Sequence, residues 1–339
     1  MMRLPWFRYE APHSVVEAAH ILAGEGPDAM LIAGGTDLLP NMKRRQQVPR
    51  TLVSLRHVEA MKKVANGSGL TLGGGLTLTQ LVRLDAVREQ HRALWQAASQ
   101  VATVHLRNMG TLGGNLCLDT RCSYYNQNYE WRKAIDFCLK KDGETCWVAT
   151  ASKRCVAVSS TDCAPALMAL GARLCLVSSA AEREVSLADF YRNDGIDYLA
   201  RRPDEILTEV MLPDSASWKS SYWKLRRRGA FDFPVLGVAA AAKMAPDGTV
   251  EQARIALGAV SSYPFLTRAG EFLAGKRLTD DVIAEAGAAA ASRAKPMDNA
   301  DFDVYWRKHV VSEFVAYALR EVRGDDMSDA RKRIGKQVL

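Results

Sequence analysis

The sequence predicts an α+β chain in three units: two α/β pieces and a C-terminal sheet-and-helix domain. Three observations carry that expectation. Short apolar runs ending in paired glycines alternate with helix-period segments over the first two units. Periodicity lapses at the Pro and Ser cluster Pro213-Asp214-Ser215-Ala216-Ser217. Beyond it, strand-like runs give way to helical patterns that continue to the end of the chain.

Ser14-Val15-Val16-Glu17 has the capping-box pattern, and apolar residues recur at Val15, Ala18, Ala19 and Leu22 before Gly24, so 14–24 reads as an amphipathic helix. The run 29–33 is a buried strand ending in Gly34-Gly35, and 52–55 is another, which completes a first unit over 1–55. The second unit, 56–213, opens with a strand at 70–72 and continues with helical patterns over 79–87 and 91–101. A polar, aromatic, cysteine-bearing loop at about 118–158 interrupts it. Beyond the loop, 164–170 reads as a helix and 173–177 as a strand, with further strands near Val185 and over 206–212. The third unit, 214–325, has strand-like runs over 222–225, 235–244 and 253–260, then helices from Thr279 onward, notably 304–322. The charged tail over 326–339 is expected to be frayed or draped on a partner.

With 339 residues, 48% hydrophobic and 24% charged, the chain can bury real cores and is not a disordered one. Its formal charge of +7 is spread along the sequence, and no zinc-finger spacing or basic-aromatic interleaving accompanies it, which argues against a nucleic-acid partner. No run approaches the roughly 18 apolar residues of a membrane span, and the start lacks the apolar core of a signal peptide, so a cytoplasmic protein is expected. The six histidines make no ligand spacing, and no hydrolytic constellation emerges.

In Ala33-Gly34-Gly35-Thr36-Asp37, paired glycines stand directly after a strand, where backbone N–H groups can wrap a phosphate and Thr36 can donate to it. Such a pair is equally a plain turn. The chemistry recurs at Arg107-Asn108-Met109-Gly110-Thr111-Leu112-Gly113-Gly114-Asn115, and two cradles suit the two phosphates of one pyrophosphate. Four of the seven cysteines, Cys122, Cys138, Cys146 and Cys155, fall within 34 residues, with 15, 7 and 8 residues between them. Their loop has too few aliphatic residues to offset its own ordering entropy, so converging thiolates are expected to fix it. Spacing alone suits an iron–sulfur cluster or a tetrahedral zinc, although paired Cys-x₂₋₄-Cys knuckles are missing. Cys117, Cys163 and Cys175 read as packing residues, and Arg226-Arg227-Arg228 as a solvated edge or partner contact in which Arg227 is the residue to test.

These two glycine loops, followed by Thr161-Asp162-Cys163-Ala164-Pro165 and by Trp223-Lys224 ahead of Phe231-Asp232-Phe233, resemble the FAD-binding subunits of the molybdenum hydroxylases. That family includes xanthine, carbon monoxide and aldehyde oxidoreductases. The resemblance implies a two-part FAD-binding domain of the vanillyl-alcohol-oxidase (PCMH-like) type and a C-terminal domain of the CO dehydrogenase flavoprotein type. It implies that Leu31, Ile32, Ala33, Gly34, Gly35, Thr36 and Asp37 hold one side of the FAD pyrophosphate, and Thr111, Gly114 and Asn115 the other. Asp162 would accept from the sugar or adenine end, Val101 and Leu207 would flank the isoalloxazine ring, and Lys224 would contact the flavin.

Most members run directly from the Gly-Gly-Asn loop into the Asp-x-x-Pro segment, whereas 46 residues lie between Asn115 and Asp162 here. That departure resembles the branch of the family that reduces 4-hydroxybenzoyl-CoA, whose flavoprotein subunit holds an extra [4Fe–4S] cluster on a loop. The flavin context favours iron–sulfur, because redox-inert zinc exchanges no electrons with a flavin. What the resemblance implies is a relay with no catalytic residue of its own. A ferredoxin-like donor would load the cluster, then FAD, then a large molybdopterin subunit and a small [2Fe–2S] subunit, in a dimer of heterotrimers that forms benzoyl-CoA. Two alternatives stand beside it: a hydroxylase subunit sending electrons outward to NAD or a quinone, and a zinc-stapled flavin scaffold that relays nothing.

Overall fold

The computed structural model describes residues 3–215 and 217–336; Met1, Met2, Ala216 of the Pro and Ser cluster, and the last three residues of the expected tail lie outside the described residues. The α+β class is the one the chain adopts. A parallel sheet, order β1-β3-β2, holds β1 (Arg8–Glu10), β2 (Ala29–Ile32) and β3 (Thr51–Ser54), with Ile32 beside Ser54. An antiparallel sheet, order β4-β5-β8-β6-β7, is made by β4 (Val64–Asn66), β5 (Gly69–Gly73), β6 (Arg173–Val177), β7 (Glu182–Ser186) and β8 (Ile206–Pro213). The third sheet, also antiparallel in order β12-β11-β10-β9, has β9 (Trp218–Leu225), β10 (Leu236–Met244), β11 (Val250–Gly258) and β12 (Phe265–Thr267).

Strand alternation decides what each sheet touches. Along β10, Leu236, Val238, Ala240 and Ala242 join the core formed with helices Asp280–Arg293 and Val304–Arg323, while Ala239 and Ala241 join the core around helix Cys163–Leu170. The third sheet is therefore buried on both faces, and the run reads as near-continuous Ala and Val. On β9 the same period sends Trp223 and Leu225 to the C-terminal helices and leaves Tyr222 and Lys224 on the face toward helix Cys163–Leu170.

Several elements depart from expectation. The first helix runs Val15–Glu25, past Gly24, and ends at Gly26, whose φ of +59° suits glycine. Ser14 caps it by accepting from Glu17 N–H, while Glu17 reaches back to His13 N–H. The span 79–87 is two helices, Leu78–Arg83 and Asp85–Gln90, because Leu84 is extended. The tail is not frayed over its described part. Ser328–Lys336 is a helix, Met327, Ala330 and Ile334 pack against the C-terminal core, and Arg331 pairs with Glu321 and lies 4.1 Å over the Trp223 ring. Arg331 therefore meets its partners within the chain itself.

Candidate functional site

The two glycine loops lie against each other. A Cβ on Gly34 would collide with the Met109 carbonyl, and one on Gly110 would stand 3.4 Å from Thr36 Oγ1. Gly35 sits at φ +69°, which turns the chain from β2 into helix Leu38–Lys43. The N–H groups of Gly34, Gly35, Thr36 and Asp37 donate to no partner among the described residues. Four successive open donors make an anion cradle. The second loop is spent differently: Leu112 N–H donates to Leu76 O (2.9 Å), Gly113 N–H to Gly74 O (2.8 Å) and Gly114 N–H to Thr111 Oγ1 (3.1 Å). This corrects the picture of two equal cradles, since these three donors are already used. What remains open there, among the described residues, is the Thr111 N–H and the face of Gly114, where an added Cβ would meet only Thr111 Oγ1, at 3.0 Å.

Leu31 and Ile32 alternate along β2, one packing toward helix Val15–Glu25 and the other toward Leu38 and Met42. Asp162 and Lys224 come together as a buried ion pair at 3.0 Å. Asp162 also accepts from the Tyr222 hydroxyl (2.8 Å), and Lys224 Nζ donates to Gln100 O and Asp232 O (3.1 and 2.9 Å). Burial pushes the Asp162 carboxyl up and the Lys224 ammonium down, and each is opposed by the other's charge. Val101 is half-buried, its carbonyl accepting from Arg107, while Leu207 is buried in the core beneath Gly74. Arg227 pairs with Asp301 at the surface.

The cysteine segment leaves and returns at one place. Asn115 Oδ1 accepts from Thr161 Oγ1 (2.8 Å) and Cys163 N–H (3.1 Å), and Arg121 and Val158 exchange backbone hydrogen bonds across the neck. The segment is seated on the first glycine loop. Arg121 pairs with Asp37, Asp119 N–H reaches Asp37 Oδ2 (3.4 Å), Gln46 donates to Tyr125 O, and the buried Arg132 donates to Arg44 O and Arg45 O. Cys122, Cys138, Cys146 and Cys155 are buried free thiols lining one cavity with Tyr124, Tyr125, Lys140 and Trp147. The expected convergence is thus a shared chamber. No three His, Cys, Asp or Glu side chains among the described residues surround a single metal-ion position. Burial pushes the Cys122 thiol up and the Cys155 thiol up to about 11.

Residues 5–215 match the FAD binding domain in molybdopterin dehydrogenase, and residues 220–322 match the CO dehydrogenase flavoprotein C-terminal domain. The chain belongs to the FAD-binding subunits of the molybdopterin dehydrogenases. It is 32% identical over 275 residues to the aldehyde oxidoreductase FAD-binding subunit of Escherichia coli K12, covering 78% of this chain and 85% of that one. To the nicotinate dehydrogenase FAD-subunit of Eubacterium barkeri it is 29% identical over 284 residues, 82% of each. Carbon monoxide dehydrogenase from Hydrogenophaga pseudoflava shares the fold, with a TM-score of 0.77 at 24% identity over 94% of this chain and 98% of that one.

FAD fits the residues of this family member: open N–H groups at 34–37 suit a phosphate, and the clear face of Gly114 lies on the abutting loop. Four thiols in one chamber are likewise the donor set of a Cys₄ iron–sulfur site. Sequence reasoning missed Arg121, Tyr222 and the carbonyls of Gly74 and Leu76, because each acts on a residue distant in the chain. No helix among the described residues is long and apolar enough to cross a membrane.

Proposed function

We propose that this FAD-binding subunit relays electrons between a [4Fe–4S] cluster held by Cys122, Cys138, Cys146 and Cys155, an FAD held by Leu31 to Asp37 with Thr111, Gly114 and Asn115, and partner subunits. Asp162, Lys224, Val101 and Leu207 complete the flavin site in this reading. The observation that supports it is the chamber of four buried thiols docked on the flavin loop through Arg121 and Asp37. Bound there, iron–sulfur and flavin groups would together couple one-electron to two-electron exchange. A zinc staple is less well supported, since Zn–S bonds of about 2.3 Å would bring the thiolates within about 3.8 Å of one another around one ion. Thiolates of a cubane cluster each take a different iron and stand wider.

The chain's own part is positional: the open N–H groups bind phosphate, the 46-residue excursion places the chamber beside that loop, and the buried Tyr125 packs with Cys122, Cys138 and Cys155. The partners in this reading are a large molybdopterin subunit and a small [2Fe–2S] subunit, as a dimer of heterotrimers in the cytoplasm, fed by a ferredoxin-like donor. The substrate is 4-hydroxybenzoyl-CoA, reduced to benzoyl-CoA, because an added one-electron inlet serves a reductase better than a hydroxylase. The second reading, a hydroxylase sending electrons to NAD or a quinone, draws on the aldehyde and nicotinate relatives.

Anaerobically purified protein is expected to carry one FAD with about four irons and four sulfides per chain. Cys138→Ser or Cys146→Ser should lose iron and sulfide and keep FAD, whereas Cys117→Ser keeps both. Zinc in place of iron would remove the cluster. With the intact complex, turnover of 4-hydroxybenzoyl-CoA by reduced viologen that Cys138→Ser abolishes supports the reductase. NAD-linked oxidation of an aldehyde or purine without that turnover hands the case to the hydroxylase.

A further inference from the structure

Two residues outside the ligand set close the chamber. The Lys140 side chain is only 6% exposed and lines the cavity, and its Nζ donates to Asp119 Oδ1 (2.7 Å), Thr120 Oγ1 (2.5 Å) and Gly195 O (2.6 Å). The rings of Tyr125 and Tyr198 lie 4.7 and 5.4 Å from it. Its counter-ion Asp119 is absent from the cavity wall and is held by the Tyr125 hydroxyl at 3.0 Å, so the lysine is the member of the pair whose side chain borders the thiols. Gly195 belongs to a turn well beyond the insertion. Its N–H donates to Cys155 O (2.9 Å), and a Cβ on it would stand 2.6 Å from Cys155 Sγ and 2.8 Å from Ala157 N.

Four thiolates around either an oxidised [4Fe–4S] core or a zinc ion leave a net charge of −2, and a buried anion of that kind needs a compensating cation. We propose that Lys140 supplies it as a positioning residue that sets the reduction potential of the chamber, and that Gly195 keeps clear the place of Cys155 Sγ. This rests on the iron–sulfur reading above. Each electron entering from a reductant adds one negative charge to the chamber, which an adjacent ammonium favours. Removing the ammonium therefore lowers the midpoint potential, and neutralising its counter-ion raises it.

The test is an anaerobic dithionite titration followed by electron paramagnetic resonance, with iron, sulfide and FAD counted per chain, on the wild type, Lys140→Met, Asp119→Asn, the double variant and Gly195→Ala. The expected result is a lower potential for Lys140→Met and a higher one for Asp119→Asn, both with FAD retained. Gly195→Ala should lose most of its iron and sulfide and keep FAD. Should Lys140→Met leave Asp119 unpaired and fail to fold, the double variant strands neither charge, and its potential is expected to lie below that of Asp119→Asn by the contribution of the ammonium. Potentials that do not move, or that move in the same direction in both single variants, overturn the role of Lys140. Full loading of Gly195→Ala overturns that of Gly195. Zinc without sulfide in the wild type overturns instead the iron–sulfur reading on which both rest.

Discussion

In the loop over 33–37, four successive N–H groups have no partner among the described residues, whereas in the loop over 111–115 those of Leu112, Gly113 and Gly114 are bonded to Leu76 O, Gly74 O and Thr111 Oγ1. Both loops carry paired glycines followed or preceded by threonine, and their sequences invite the same reading. The first is a donor surface pressed against a neighbour. The second is a strut that fixes the turn over 73–77 and shows one bare face, at Gly114. Glycine thus reports close backbone approach, and only the hydrogen-bond partners tell whether a ligand or the protein is what approaches.

Gly34→Val breaks this comparison most severely. Its Cβ has no room beside the Met109 carbonyl, both sides of the clash are backbone, and the abutment of the two loops must open. Overpacking of this kind costs about 3 kcal/mol or more, so urea unfolding should show that loss together with near-complete loss of flavin. Wild-type stability with flavin absent would show that Gly34 meets the ligand alone.

Arg121→Met acts one step away. It removes the partner of Asp37 and the cation 4.8 Å from the Phe233 ring, at about 2 kcal/mol for a charge-assisted contact, and unseats the neck of the insertion from the first loop. Limited proteolysis should cut within 118–158 faster than in the wild type, with flavin content falling less than for Gly34→Val. An unchanged digestion pattern would mean that Asn115, Thr161 and the Arg121–Val158 backbone bonds close the excursion unaided.

What the sequence made legible follows the same division. Strands β6, β8 and β10 and the helix Val304–Arg323 were readable because their residues are buried by a simple period or by unbroken apolar runs. The three-residue strands β1, β4 and β12 carry no such signal and exist through their neighbours, as in the parallel pairing of Arg8, Tyr9 and Glu10 with Thr51, Leu52 and Val53. The helix Ser328–Lys336 was read as a loose charged tail because its anchor, Glu321, lies on another element. In the site, glycines and cysteines announce themselves by residue type and spacing. Lys224 was named by resemblance, but its pairing with Asp162 and the part of Tyr222 required knowing which face of β9 meets Asp162, and Gly195 required a fold that brings it to Cys155 from 40 residues away.

Gly114→Ala has the smallest structural effect and sharpens the comparison furthest. Its Cβ meets only Thr111 Oγ1, at 3.0 Å, and the residue lies inside the short helix Leu112–Leu116. Alanine there gains up to about 1 kcal/mol of helix propensity, which offsets the tight contact, so the unfolding midpoint should move little in either direction. A methyl group on the one bare face of the second loop would nevertheless occupy space that an approaching phosphate needs. Flavin content, or the concentration of added FAD needed to restore it, should therefore worsen several-fold while stability holds, the reverse of the Gly34→Val pattern. If Gly114→Ala binds flavin as the wild type does, the second loop is a strut only, and the pyrophosphate rests on residues 33–37 alone.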